Sequence, residues 1–442
     1  MPRLSLPDHL PRKLTIAFWA WFWATDRQSG EGFCDLDGAF RALVARGFNT
    51  ARVDALWSWA YDLDGRPRGP LEVGRAADPG WCDHCPGLTT HGGGRVDALE
   101  GLLELCELAR RDDVFLALTS WEFQEGHSVG LVADPAVRRE ILGVPVAERP
   151  DYLARQCDRA LRAIKAHGLA DRIAYVELHN EIENIAPGGF PGGRPGLRAA
   201  VGKALAFLRT QHPDLLFTDD HQVDTAEHGF DYAVARRSLD KFAANAQLLD
   251  HHLYAWSCSL QFDLIRRVMT HPIPVALQDE VVPRQLRENK LLRWLIRSDA
   301  LPWEEHCRHW GCDWFAVWRP LMYLYQYLDV DRYDYWMFRH YPEFEERMRA
   351  FWRGHVSLFG EEAARRGVPA VCDEGYVMWP PTHSAFEPSA VGRANFDFIV
   401  DHMLEAGYWG IMVSTYAFPG QPLWEHQADW LRGIHRRIIE SP

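Results

Sequence analysis

The 442-residue sequence predicts an α/β chain folded as a (β/α)8 TIM barrel, on three observations. Short apolar runs alternate with amphipathic helical stretches from end to end, the runs number eight, and no Ser/Gly-rich or low-complexity linker divides them. Length alone would suggest two or three domains, but α/β barrels of this size form one domain with insertions, so 1–442 reads as a single domain.

The first run, LTIAFWAWFWA from Leu14 to Ala24, follows basic Arg3, Arg12 and Lys13 and superficially copies an export signal. It is Trp-rich and lacks a small-x-small cleavage site, so it reads as strand one, with Trp19, Trp21 and Trp23 alternating onto one face. DLDGAFRALVARG then has an acidic first turn and a Gly stop, the marks of a helix. Strand two is Asn49 to Leu56, and RVDALEGLLELCELARR is the helix before strand three, Val114 to Trp121. RPDYLARQCDRALRAIKAHG leads to strand four, Ile173 to Asn180, and RPGLRAAVGKALAFLRTQH to strand five, Leu215 to Thr218. Strand six is Leu248 to Tyr254. YPEFEERMRAFWRGHVSLFGEEAARRG precedes strand seven, Ala370 to Glu374, and strand eight is Gly410 to Thr415. The roughly hundred residues between strands six and seven exceed what a βα loop needs. Residues 257–342, rich in aromatics, are read as an insertion forming part of a wall over the barrel mouth.

With 47% hydrophobic residues the chain can bury a large core. A net charge of −13 argues against a nucleic-acid or anionic-membrane partner, because phosphate binding needs a basic footprint. No stretch reaches the roughly 18 apolar residues of a membrane span. A neutral small partner is the natural expectation, and the 19 Trp and 14 Tyr suit the apolar faces of sugar rings. Nine dispersed cysteines point to a reduced, cytoplasmic chain, with secretion as the alternative. WCDHC (Cys82, Cys85, with His91 nearby) and HCRHWGC (Cys307, Cys312) each lack a second ligand pair and are expected to be reduced and metal-free; in an exported chain disulfides become the alternative. Oligomeric state is open.

Barrels place their chemistry at the C-terminal ends of the strands, and polar residues cluster there. On strand four the two-residue period puts Glu177, His179 and Glu181 on one face. ELHNE, ending in Glu181, resembles the E-L-x-N-E segment of clan A glycoside hydrolases, the cellulase-like family 5 in particular, whose last Glu is the general acid/base. PAVCDEGY resembles that family's strand-seven segment, making Glu374 the nucleophile. GFNTARV is similar to its strand-two segment, whose Arg hydrogen-bonds the nucleophile, here Arg52. HHLY is similar to its His-x-Tyr, so His252 would line the sugar site and Tyr254 would bond the nucleophile. The four matches occur in the family's order. The resemblance implies a retaining enzyme acting on β-linked oligosaccharides or polysaccharides, with no metal or organic cofactor. Asn180 would contact the sugar 2-hydroxyl, and Trp121 and Trp21, at strand ends, are candidate stacking residues.

Cleaving a glycosidic bond through an oxocarbenium-like state requires one ionised and one protonated carboxyl. Arg52 and Tyr254 are expected to lower the pKa of Glu374, while Glu181 stays protonated until it has passed its proton on. Their carboxyls are expected about 5 to 5.5 Å apart. Glu177 reads as a buried support, and Glu183 as a solvated bystander. The chain departs from the family pattern: Ile182 and Asp54 stand where Pro is common, ALTSWEF lacks the strand-three His, and Ser414 occupies the usual strand-eight Trp position. Trp409, Tyr416 or an aromatic of the insertion would substitute for that Trp. Two other classes remain: a sugar-binding protein without catalysis, and a metal-dependent barrel hydrolase using His251 and His252. Strand one has no His-x-His pair, which counts against the latter.

Overall fold

The computed structural model describes residues 6–74, 93–124, 128–227, 229–255, 258–270, 273–309, 319–375 and 381–442. Cys82, Cys85, His91 and Cys312 lie outside them. Cys307 is free, as are Cys34, Cys106, Cys157, Cys258 and Cys372.

Parallel strands enclose the core: β1 Leu14–Ala20, β2 Thr50–Asp54, β3 Phe115–Thr119, β4 Ile173–Glu177, β5 in two pieces (Phe217–Thr218 and Asp220–Gln222), β6 Leu249–Leu253, β7 Ala370–Gly375 and β8 Gly410–Met412. β1 pairs with both β2 and β8. From there the order runs through β3 and β4 on one side and β7 and β6 on the other, to β5. The first piece of β5 bonds to β4 and the second to β6, with Asp219 alone between them, so the barrel closes through β5. Both faces of such strands are covered, which is why the runs are nearly continuously apolar.

The predicted helices form with local causes. Leu36–Ala45 starts at Asp35, whose carboxylate accepts the Gly38 N–H, and Ala98–Arg111 starts at Asp97, which caps Glu100 in the same way. Arg149–Ala166 and Gly193–Gln211 precede β4 and β5. Glu345–Arg366, ended by Gly367 at φ 74°, packs on β6 and β7, while Ala390–Glu405 leads to β8. Among the described residues six α-helices lie between β6 and Glu345, including Leu260–Val268, Arg319–Tyr327 and Val330–His340. No helix of the described residues is long and apolar enough to cross a membrane.

Four strand expectations need correction. β4 ends at Glu177 rather than Asn180, so the two-residue period does not carry His179 and Glu181 onto the face of Glu177. β1 ends at Ala20, which takes φ 41° at an irregular step in its pairing with β2, and a short helix, Phe22–Thr25, follows. The alternation of Trp19, Trp21 and Trp23 therefore breaks: Trp19 packs against Phe33 and Phe40, while the Trp23 indole donates to the Asp54 carbonyl. β5 continues past Thr218 to Gln222, because its acidic residues find partners inside and outside the barrel. β8 stops at Met412, where the chain turns so that the Ser414 hydroxyl can accept the Tyr416 N–H.

Candidate active site

Arg52, on β2, is wholly buried and sits at the centre of the barrel mouth. Its Nε and Nη2 donate to the two Glu177 oxygens at 3.0 and 2.8 Å, and Nη1 donates to Glu374 Oε2 at 2.8 Å. Nη2 also donates to Asn180 Oδ1 at 2.9 Å, and Nε lies 2.8 Å from Asp373 Oδ2. A guanidinium can serve this many acceptors because its donors fan out in one rigid plane. The Trp121 ring lies 5.1 Å and the Phe18 ring 5.8 Å from its central carbon.

That Asp373 and Glu374, consecutive on β7, both reach Arg52 violates strict strand alternation. The β7–β6 register explains it: Val371 pairs with Asp250 but Glu374 with His252, so β7 carries an extra residue. Such a bulge turns two neighbouring side chains inward. Tyr254 donates to Glu374 Oε1 at 2.5 Å, and Tyr175 to Asp373 Oδ2 at 2.7 Å.

Glu181 sits one turn past β4. Its backbone is left-handed, φ 46°, a conformation costing roughly 1 kcal/mol or more for a residue with a Cβ. Its N–H donates to Asp220 Oδ2 at 2.9 Å, and its carboxylate meets His252 Nδ1 at 3.0 Å and Asn184 Nδ2 at 2.8 Å. His252 Nε2 lies 2.8 Å from Asp220. One donor atom each from Glu181, His252 and Glu374 fall within 4.8 Å of one another, so an oxygen of Glu181 lies within 4.8 Å of one of Glu374. Asn180 Oδ1 accepts from Arg52, so that bond does not occupy its Nδ2.

The charges here are set by burial against contact. His252 is pushed down by burial, but Asp220 and then Glu374 raise it well above an ordinary imidazole, so it is a cation. Asp373 is pushed up by burial, yet Arg52, a hydrogen bond from Glu177 and His252 hold it well below the carboxylate range. Glu177 goes the other way: burial and the neighbouring Asp373 raise it well above normal despite Arg52. Burial likewise raises Glu374, outweighing His252, Arg52 and the Tyr254 hydroxyl. The expectation that Arg52 and Tyr254 leave Glu374 below its usual value is thus corrected. Both groups pull in the expected direction, and desolvation is larger.

Other expectations also change. Glu183 is no solvated bystander: His221 lies 2.8 Å and Lys241 3.2 Å from its carboxylate. Trp121 and Trp21 come together at the strand ends, edge to face at 5.5 Å, and both are buried in the protein's own packing. Trp409 lies at the opposite end of the barrel, its indole donating to the Pro11 carbonyl, so it cannot replace the missing platform. Tyr416 is at the correct end, near Glu374 and Tyr325 of helix Arg319–Tyr327. His179 stacks on Phe123, and His251 points out of the barrel, stacked on Phe359 at 3.9 Å and bonded to the Tyr408 hydroxyl. His251 and His252 thus face opposite sides and cannot share a ligand. Asp373 and Asp220 were not anticipated; the Asp-Glu doublet and the DDH run after strand five were the available signals.

A (β/α)8 barrel with facing carboxylates at the ends of β4 and β7 defines the class of site, and comparison with solved structures agrees on the fold. A candidate glycoside hydrolase from Parabacteroides distasonis superposes with a TM-score of 0.61 at 16% identity, covering 98% of this chain and 95% of that one. An endo-1,4-beta-D-mannanase from Thermotoga petrophila (TM-score 0.48, 11% identity, 96% and 99% covered) is also similar. So is a glycoside hydrolase family 5 mannosidase from Rhizomucor miehei (0.43, 13%, 98% and 94%). The first of these likenesses extends the shared barrel along nearly the whole chain. No protein-family model and no curated protein matches it in sequence.

Proposed function

We propose that this protein is a retaining glycoside hydrolase acting on β-linked oligosaccharides or polysaccharides, with Glu374 as nucleophile and Glu181 as general acid/base. The observation that carries the reading is the approach of their carboxylate oxygens to within 4.8 Å, with Arg52 and Tyr254 bound to one and His252 and Asn184 to the other. Inverting enzymes need a wider gap, about 6.5 to 9.5 Å, for an attacking water.

In the first step Glu374 attacks the anomeric carbon while Glu181 gives its proton to the departing glycosidic oxygen, leaving a glycosyl ester. In the second, Glu181 takes a proton from water, the water oxygen bonds to the anomeric carbon, and Glu374 leaves as carboxylate. Arg52 and Tyr254 disperse the negative charge of Glu374 before attack and again on its release. Asn180, with its Oδ1 taken by Arg52, would offer its Nδ2 to the sugar 2-hydroxyl. Tyr416, beside Glu374 and Tyr325, is the candidate to line the sugar site in place of the strand-eight Trp; in this reading helix Arg319–Tyr327 of the 257–342 insertion would form part of the site wall, as expected for a pocket and short substrates.

The test is a panel of aryl β-glycosides and β-linked oligosaccharides followed by NMR of the first product. Retained anomeric configuration is expected. Glu374→Ala should lose on the order of 10⁵-fold in kcat, and azide should restore turnover with a product of inverted configuration. An inverted product from the wild type, or an active Glu374→Ala, would overturn the assignment.

A further inference from the structure

The strained turn at Glu181 is gripped from two sides by β5. On the inside, Asp220 accepts the Glu181 N–H. On the outside, the neighbours of Asp220 reach the residue two further along: His221 Nδ1 lies 2.8 Å from Glu183 Oε2, and His221 Nε2 lies 3.0 Å from Asp219 Oδ2. Asp219 Oδ2 in turn accepts the Ala243 N–H at 3.0 Å. Lys241 Nζ bridges Glu183 Oε1, Asp224 Oδ1 and the Gln222 carbonyl at 3.2, 2.9 and 2.8 Å. Strand alternation thus lets one strand hold both ends of the Glu181–Ile182–Glu183 segment.

Packing holds the buried Ile182 but does not close around the outer side of the segment. Behind the segment lies a cavity of about 160 Å³ whose walls include Ile182, Leu197, Val201 and the Arg194 and Arg198 side chains. A void contributes no contacts to resist movement. A loop whose backbone is in a disfavoured conformation and whose outer face is incompletely packed needs a directional anchor.

We propose that Glu183 and His221 are positioning residues for the general acid/base: their ion pair, braced by Asp219 and Lys241, holds Glu181 in the left-handed turn that aims its carboxylate at the glycosidic oxygen. This rests on the role of Glu181 in the preceding section. Burial pushes the Glu183 carboxyl up, but His221 and Lys241 bring it down to about 2; burial pushes His221 down, but Glu183 and Asp219 raise it to about 9. Lys241, Asp224, Asp219, Arg194 and Arg198 surround the pair, with Glu181 and Asp220 beside it along the chain, and it stays ionised across the neutral range.

A group that aims an acid matters only where the leaving group needs a proton. In Glu183→Ala and His221→Gln, kcat/KM on alkyl β-glycosides should fall roughly 10- to 100-fold, and on dinitrophenyl β-glycosides less than about 3-fold. Glu183→Gln, which keeps the hydrogen bond without the charge, should recover part of the loss. Equal losses on both substrates, or none on either with folding intact, would overturn the proposal. A crystal structure of Glu183→Ala is read separately from activity. The Glu181 carboxylate should leave His252, now 3.0 Å away, and Glu181 should abandon φ 46°; an unmoved Glu181 refutes the anchor. If the wild type cleaves no glycoside, the functional reading fails while this structural arm still judges the anchor.

Discussion

Two pairs of acids occupy the same rim of the barrel and differ in whether a cation touches them. Glu181 and Glu374 face each other across the ends of β4 and β7, with His252 touching one and Arg52 the other. Asp54 and Glu122, at the ends of β2 and β3, are fully buried and meet neutral donors among the described residues, the Leu56 N–H and Ser128 on Asp54 and the Ser58 N–H and Ser120 on Glu122. Burial pushes Glu122 up to about 7 and Asp54 well above its usual value, the latter also through Glu122, with Arg52 the weakest of the opposing influences on Asp54. Asp54 is two residues from Arg52 in sequence and on the same strand. Proximity to a cation along the chain therefore counts for little, and one direct contact does not offset burial either: Glu177 and Glu374 touch Arg52 and are still raised, and Asp373 is held low by Arg52, Glu177 and His252 together.

Removing the shared cation is the strongest way to break this contrast. Arg52→Met should leave Glu177, Asp373 and Glu374 without their common counter-ion, costing about 3 to 5 kcal/mol in urea denaturation along with activity. Arg52→Lys should restore little of either, because one ammonium cannot span acceptors that a planar fork reaches together. Wild-type stability in Arg52→Met would mean that those carboxyls simply hold protons.

The second pair offers a subtler test. The folded-state pKa of Glu122 is raised, to about 7 from 4.5, so the folded protein binds a proton that the unfolded chain has released. Its contribution is therefore complete below about pH 4.5 and lost as pH rises through about 7. Glu122→Gln removes that loss, so the variant should gain on the wild type by on the order of 1 to 3 kcal/mol between those limits. Thermal denaturation at pH 5 and pH 8 measures it. A stability difference that does not change with pH would show Glu122 to be ionised throughout.

Tyr254→Phe should have the smallest effect, about tenfold in kcat/KM, the worth of one hydrogen bond to a charged group. Without the hydroxyl, the pKa of Glu374 rises further, so the acid limb of the kcat/KM profile should move to higher pH. A limb that does not move would detach Tyr254 from the nucleophile.

Much of the site was legible because its residues lie at strand ends in a barrel, where chain order predicts convergence. Arg52, Asn180, Glu181, His252, Tyr254 and Glu374 do meet within hydrogen-bonding networks, although more than 300 residues separate Arg52 from Glu374. Asp373 escaped because a period of two points it outward, and only the β7 bulge turns it in. Asp220 and His221 escaped because an acidic DDH run reads as the end of a strand; the strand resumes after Asp219, with Asp220 paired to His252 and His221 to Glu183 and Asp219.

By itself the sequence determined the order of strands and helices and the identities of the two facing carboxyls, since hydrophobic period and chain order are local properties. Tertiary structure alone decided which acids are pushed up by burial, which tryptophans are spent on packing, and that Glu183 pairs with His221 and Lys241. Those outcomes depend on desolvation and on contacts between distant segments, and both exist only once the barrel has closed.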